Sequence, residues 1–188
     1  MKKRYALPLI AAALLVTAFP ALAADAPLPG LRGDLQRNID DASGKLMELA
    51  AAVPADKYGW RPAEGVRSMS EVFMHVASAN YYLATFVGEQ WPAGVPQDLE
   101  KVTDKAKVTE ALKASFENLR TLIAKTSDAD LDRKIQMFGH DATVRAALLA
   151  MMTHLHEHLG QAIAYARTNG LVPPWTAREQ AEQAKKKM

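Results

Sequence analysis

The sequence predicts an all-α protein folded as a four-helix bundle, and three observations support this fold class. Four segments of the 188-residue chain carry apolar residues at steps of three and four, the spacing of one helical face. Proline and glycine cluster between these segments. The segments are roughly 18 to 27 residues long with connections of mixed length, a pattern typical of a bundle.

Residues 1–23 have the features of a secretory signal peptide. A basic start (KKR, residues 2–4) precedes an apolar stretch at residues 7–19, and a small-x-small cleavage site (ALA, residues 21–23) follows. The stretch is short for a membrane span; Pro8 interrupts it and Pro20 follows it. We therefore expect cleavage after residue 23, a periplasmic or secreted protein, and no stable membrane insertion after cleavage.

Composition limits the classes of partner. Removal of residues 1–23 takes away three positive charges and no negative one, so the formal net charge falls from +2 to −1. Such a near-neutral chain gives no reason to expect nucleic-acid binding. The chain has no cysteine, which excludes disulfides and a covalently attached c-type haem. The 165 residues that remain suit one domain, a bundle at residues 24–170 followed by a charged tail at residues 171–188.

The first two helices have clear boundaries. The first is predicted from Leu31 to Val53, before Pro54, although two glycines weaken it. Its apolar positions are Leu35, Ile39, Ala42, Leu46, Leu49 and Val53. The second is predicted over residues 69–87, because Ser68 and Glu71 form a capping box at its start. Its apolar face is Val72, Phe73, Val76, Ala79, Leu83 and Phe86.

The third and fourth helices follow a loop at residues 88–100. The third is predicted over residues 104–125, with an inward stripe of Val108, Leu112, Ser115, Phe116, Leu119, Leu122 and Ile123. Residues 131–139 are compatible with a brief extended segment. The fourth begins near Thr143 and ends before Gly170, a favourable residue just after a helix. The tail is expected to be a frayed helix or disordered.

Three of the five histidines fall within five residues of the fourth helix. A helix advances about 100° per residue, so His154 and His158 lie about 40° apart on one inward face. His156 points to the opposite side, toward solvent. Imidazoles at positions i and i+4 can hold one divalent cation, but a third ligand has to come from another helix.

The second helix offers that third ligand. His75 flanks its apolar stripe, whereas His140 lies in a polar linker. A hydrogen-bonded core role for each histidine stays open, but burial of three imidazoles without partners is unfavourable. The predicted metal ligands are therefore His75, His154 and His158.

Two residues close after His158, Gly160 and Gln161, are candidates for supporting the metal site. Gly160 costs a helix about 1 kcal/mol relative to alanine, and one reason to keep it is a close helix approach. Gln161 can hydrogen-bond a ligand imidazole or, alternatively, a backbone carbonyl.

These motifs together resemble the DinB-like (YfiT-like) superfamily of metal-binding four-helix bundles. The resemblance covers about residues 31–170. It includes a Pro-x-x-Gly turn at residues 62–65, an H-x-x-x-x-N pattern from His75 to Asn80, and H-x-x-x-H-x-G-Q from His154 to Gln161. It implies a site of His75, His154 and His158 for zinc or nickel, with open positions for water or substrate, and frequent homodimers. Some relatives are transferases that use cytosolic small thiols, which an exported chain would not meet.

The first functional hypothesis is an exported metal-dependent hydrolase or transferase that acts on a small substrate. Trp91 in the loop is a candidate rim residue, and Asn80, Tyr81, Tyr82 and Glu157 are candidate neighbours of the metal. No H-E-x-x-H or G-x-S-x-G motif is present, so a zincin protease or a serine hydrolase is not indicated. The alternatives are a non-catalytic metal- or ligand-binding bundle and a purely structural bundle. Non-covalent haem binding by histidine and methionine is less favoured, since methionine more often fills cores.

Overall fold

The computed structural model describes residues 28–187, and the signal peptide predicted at residues 1–23 lies outside this range. The fold is all-α, as predicted. Within the described range the helices are α1 (Gly30–Ala52), α2 (Met69–Thr85), α3 (Lys105–Lys125), α4 (Val144–Thr168) and α5 (Pro174–Lys186). Two short strands, β1 (Lys134–Met137) and β2 (His140–Thr143), form an antiparallel hairpin before α4.

The four long helices form a bundle in which consecutive helices are not always neighbours. Helix α1 packs mainly against α3 and α4, and α2 also packs mainly against α3 and α4. Helices α1 and α2 are therefore diagonal partners, and the segment that joins them crosses one end of the bundle. This arrangement makes α2 and α4 neighbours, so histidines on these two helices can meet.

The predicted apolar faces form the core. All seven residues predicted to form the inward stripe of α3 are buried. The predicted positions on α1 are also buried, and so are those on α2 except the half-buried Phe86. The spacing of apolar residues thus identified the faces that the helices bury.

Side chains cap the starts of three helices and confirm two predicted caps. The Glu71 backbone N–H donates to Ser68 Oγ over 3.3 Å, and the Ser68 N–H donates to Glu71 Oε2 over 2.6 Å. Thr143 Oγ1 accepts a hydrogen bond from the Ala146 N–H at the start of α4. These bonds satisfy amide groups that have no partner within the helix.

The C-terminal segment forms a helix, where the sequence left a frayed helix and a disordered tail as alternatives. It forms α5, with Pro174 at the start where a missing N–H costs nothing, followed by residues that favour helix. Arg178 connects the helix to α1 through two hydrogen bonds to Glu48, of 2.8 and 3.1 Å.

Within residues 28–187, no helix combines the length and apolar character needed to cross a membrane.

Candidate metal centre

Three histidines from two helices converge between α2 and α4. His75 lies in α2, and His154 and His158 lie one turn apart in α4. Each offers a ring nitrogen within 4.8 Å of those of the other two. The ring centroids are 4.4 Å apart for His154 and His158, 4.7 Å for His75 and His158, and 5.1 Å for His75 and His154. The structure therefore brings together the three predicted ligand residues.

The spacing of the nitrogens fits a shared cation. The Nε2 atoms of His75 and His154 are 3.2 Å apart. Two nitrogens bound at about 2.0–2.1 Å to one zinc ion, at tetrahedral or octahedral angles, lie about 2.9–3.4 Å apart. Imidazole nitrogen is a good ligand for zinc, nickel, copper and iron. The donor set and its spacing therefore fit a divalent transition metal without selecting one.

The outer nitrogen of His75 contacts a carboxylate. Glu100 Oε1 lies 2.8 Å from His75 Nδ1. Arg67 holds the same carboxylate, with Nε 2.9 Å from Oε2 and Nη2 3.3 Å from Oε1. Since an ionised carboxylate can only accept, Nδ1 of His75 carries the proton and Nε2 presents its lone pair to the other histidines.

The outer nitrogen of His158 contacts an amide. Gln161 Oε1 lies 2.8 Å from His158 Nδ1, and Gln161 Nε2 donates to the Tyr165 hydroxyl over 3.1 Å. Tyr165 packs edge-on against Trp60, with ring centroids 5.3 Å apart. The Gln161 oxygen must accept from Nδ1, so His158 also presents the lone pair of Nε2. Of the two roles considered for Gln161, the hydrogen bond to the imidazole is the one observed.

The surroundings of His75 and His154 lower the pKa of both side chains and so favour their neutral forms at pH 7. Burial, helped by the neighbouring His158 and His75, lowers the pKa of His154 to about 4. Burial also lowers the pKa of His75, although its hydrogen bond to Glu100 opposes the effect. Burial alone would raise the pKa of Glu100, but the bonds from Arg67 and His75 outweigh it and the pKa is lowered. Neutral imidazoles are the form that binds metal.

Other predicted site residues lie elsewhere. His156 is exposed, as expected for its face, and His140 is exposed in β2. Asn80 is buried and donates to Ser115 in α3. Tyr81 packs against Trp91, whose indole N–H donates to the Val95 carbonyl.

The two remaining candidates also point away from the centre. Tyr82 is half exposed, and its ring packs edge-on against Phe86 and at a tilt against Phe138. Glu157 is exposed on α4. None of these side chains hydrogen-bonds a ligand histidine within residues 28–187.

Sequence reasoning gave a wrong reason for Gly160 and missed two polar partners. Gly160 is exposed, and a Cβ added there would meet nothing within 4 Å, so no close helix approach requires it. Glu100 and Arg67 were not identified, because Glu100 is 25 residues from His75 and no local periodicity connects them. The only available signal was a carboxylate at the end of the long loop.

Comparison with known proteins gives a consistent family assignment. The sequence profile of the DinB superfamily matches residues 38–162. The uncharacterised protein YjoA of Bacillus subtilis (strain 168) is 27% identical over 126 residues, which cover 65% of this chain and 80% of YjoA.

Solved structures share the fold. A DinB-like protein from Bacillus cereus ATCC 10987 superposes with a TM-score of 0.68 at 16% identity, covering 77% of this chain and 95% of that protein. YfiT from Bacillus subtilis, described as a probable metal-dependent hydrolase with an unusual four-helix bundle topology, gives a TM-score of 0.59 at 15% identity. That match covers 80% of this chain and 95% of YfiT. At these identities the likeness establishes the fold.

Proposed function

This chain belongs to the DinB superfamily, and we propose that it is a three-histidine metalloprotein that hydrolyses a small substrate or transfers a group from it. The observation that carries the proposal is the convergence of His75, His154 and His158. Their ring nitrogens lie within 4.8 Å of one another, and the Nε2 atoms of His75 and His154 are 3.2 Å apart. The description of YfiT as a probable metal-dependent hydrolase supports hydrolysis as the first reaction to test.

The chain's own residues hold two of the three ligands in a form ready for metal. His75 and His158 present Nε2 lone pairs because Glu100 and Gln161 accept from their Nδ1 protons. Three protein ligands leave positions for water and substrate, and the bound metal supplies Lewis acidity and a lowered pKa for bound water. His75 and His154 are only partly buried, so a small molecule can approach the centre from their side.

A non-catalytic metal-binding bundle is the second candidate, and one observation favours it. Within residues 28–187, Glu100 is the only carboxylate that hydrogen-bonds any of the three histidines. It contacts His75 alone, and Arg67 and His75 already engage both of its oxygens. It is therefore not free to act as a general base. A catalytic reaction at this centre has to rely on the metal and its water rather than on a dedicated carboxylate.

Metal content per chain tests the proposal. Protein exported without a His-tag is analysed by mass spectrometry beside His75→Ala, His158→Ala and the matched control His156→Ala, which removes an exposed histidine of the same helix. We expect about one zinc or nickel per chain in wild type and in His156→Ala, and loss of the metal in the other two variants. Absence of metal from the wild type after reconstitution would refute the proposal.

A substrate screen then separates the two candidates. Metal-loaded wild type is tested on small esters, amides and phosphate esters, beside His154→Ala. Turnover that disappears in His154→Ala and in chelator-treated protein supports a hydrolase. Ready transfer of the metal to an acceptor protein, without turnover, supports the binding bundle.

We also propose that the protein is exported after cleavage at residue 23. The basic start, the apolar stretch and the small-x-small site support this proposal. Mass spectrometry of the exported protein is expected to find Ala24 at its N-terminus. A chain that keeps residues 1–23 and stays in the cytoplasm would contradict it. The homodimer implied by the family resemblance stays a prediction, which sedimentation equilibrium tests.

A further inference from the structure

The loop between α2 and α3 contacts the metal centre through one carboxylate. Glu100 lies in a short 3-10 turn, Leu99–Lys101, and its Oε1 is 2.8 Å from His75 Nδ1. Leu99, its neighbour in that turn, is 3% exposed and belongs to the core. The turn is thus anchored beside α2, which fixes where the Glu100 side chain begins.

A second side chain fixes the position of the Glu100 carboxylate group. Arg67 donates to both oxygens of Glu100, from Nε over 2.9 Å and from Nη2 over 3.3 Å. Arg67 immediately precedes Ser68, the residue that caps the start of α2. The carboxylate is therefore held between the start of α2 and a histidine two turns further along the same helix.

We propose that Glu100, held by Arg67, is a positioning residue for the metal ligand His75. By accepting the Nδ1 proton it selects one tautomer and one ring orientation, so that the Nε2 lone pair points at His154 and His158 before metal arrives. This inference rests on the proposed metal site and adds the residue that prepares its α2 ligand. Hydrogen bonds of this kind commonly orient metal-binding histidines and raise their affinity for metal.

An ordinary surface ion pair is the competing explanation. Side chains of Arg67 and Glu100 are 41% and 38% exposed, and an exposed pair contributes little to folding stability. A purely structural pair predicts no change in the tautomer of His75 when Glu100 is replaced. The two explanations therefore differ in a spectroscopic property of His75 itself.

The first experiment measures that tautomer without metal. Chelator-treated protein labelled with ¹⁵N-histidine is studied by NMR at pH 7.5, as wild type, Glu100→Ala and Asp98→Ala. Asp98 is a matched control, because it lies in the same loop and its carboxylate pairs with Lys101 instead of a histidine. We expect the Nδ1–H form of His75 in wild type and Asp98→Ala, and a shift toward the Nε2–H form in Glu100→Ala. An unchanged tautomer in Glu100→Ala overturns the proposal.

The second experiment measures zinc affinity by competition with a chelator. Glu100→Ala is expected to weaken zinc binding about 10- to 100-fold. Glu100→Gln keeps an acceptor oxygen and should recover part of that loss, while Asp98→Ala should bind zinc as wild type does. Zinc affinity of Glu100→Ala within twofold of wild type overturns the role of Glu100 and leaves the metal site standing. A wild type that binds no zinc or nickel overturns the proposed function instead, and with it the metal-related role of Glu100.

Discussion

The Nε2 atoms of His75 and His154 lie 3.2 Å apart, so two predicted metal ligands from different helices face each other directly. Glu100 takes the Nδ1 proton of His75, which leaves His75 Nε2 as an acceptor. In the metal-free protein the proton of this contact therefore belongs to His154 Nε2. A metal ion that binds His154 Nε2 has to displace this proton, so the metal and the proton compete for the same nitrogen.

Metal binding is expected to stabilise the fold. A ligand that binds only the native state at about 100 times its Kd adds about 2.7 kcal/mol of stability. For a domain of this size that corresponds to a rise in Tm of about 5 to 10 °C. Thermal unfolding of chelator-treated protein with and without added zinc measures the effect.

The matched histidine variants provide the controls for this measurement. His156→Ala should respond to zinc as the wild type does, because His156 is exposed on the opposite side of α4. His158→Ala should lose most of the response. An equal response in both variants would mean that the zinc acts at some other position.

The metal-free protein is expected to lose stability as the pH falls from about 6.5 to about 4. The pKa of His154 is lowered from 6.5 to about 4 by burial, so in this window the unfolded chain binds a proton that the folded chain does not. The contribution of neutral His154 is fully present above pH 6.5 and is lost as the pH falls toward 4. The pKa of His75 is lowered as well and acts in the same direction.

Urea unfolding of chelator-treated protein at several pH values tests this dependence. One histidine can contribute a slope of at most about 1.4 kcal/mol per pH unit. His154→Gln removes the titrating group and should flatten the dependence between pH 6.5 and 4. A profile for His154→Gln as steep as that of the wild type would assign the effect to other groups.

The sequence was sufficient for most of the fold because the relevant signals are local. The stripe from Val108 to Ile123 gave the buried face of α3, and Ser68 with Glu71 gave the start of α2. The pairing of His154 with His158 also follows from helical spacing. These patterns depend on residues within two turns of each other, where helix geometry alone decides which side chains share a face.

The parts that could not be predicted depend on how distant segments meet. The diagonal placement of α1 and α2 and the approach of Glu100 to His75 are set by the packing of whole helices. The helix at Pro174–Lys186 depends in part on the contact between Arg178 and Glu48, 130 residues apart in sequence. Such pairs leave no periodic pattern in a single sequence.

Replacement of Gly160 by alanine is expected to stabilise the protein. Gly160 lies in the interior of α4, and an added Cβ meets nothing within 4 Å. Alanine should therefore add about 0.5–1 kcal/mol through its higher helix propensity. Gly33→Ala is the contrasting variant, because a Cβ there would lie 1.9 Å from the Leu28 carbonyl oxygen. Urea unfolding should show a higher free energy of unfolding for Gly160→Ala and a lower one for Gly33→Ala. Destabilisation by Gly160→Ala would show that this position requires glycine.

Asn80→Ala is expected to weaken the fold without removing metal. Asn80 is 2% exposed, and its Nδ2 donates over 3.0 Å to Ser115 Oγ, which is 0% exposed. The bond joins α2 to α3, whereas the three histidines lie between α2 and α4. Loss of this bond is expected to cost about 1 kcal/mol, because Ser115 Oγ loses the Asn80 donor but keeps its own bond to the Leu112 carbonyl.

A double-mutant cycle isolates this hydrogen bond from a role at the metal centre. Ser115→Ala should destabilise the protein more than Asn80→Ala, because it leaves the buried Asn80 Nδ2 without its acceptor. The double variant has alanine at both positions, so neither polar group is left without its partner. Its loss of folding stability should therefore be smaller than the sum of the losses in the two single variants. Metal content should stay near one per chain throughout. Loss of metal from Asn80→Ala at unchanged stability would instead place Asn80 in the function of the histidine centre.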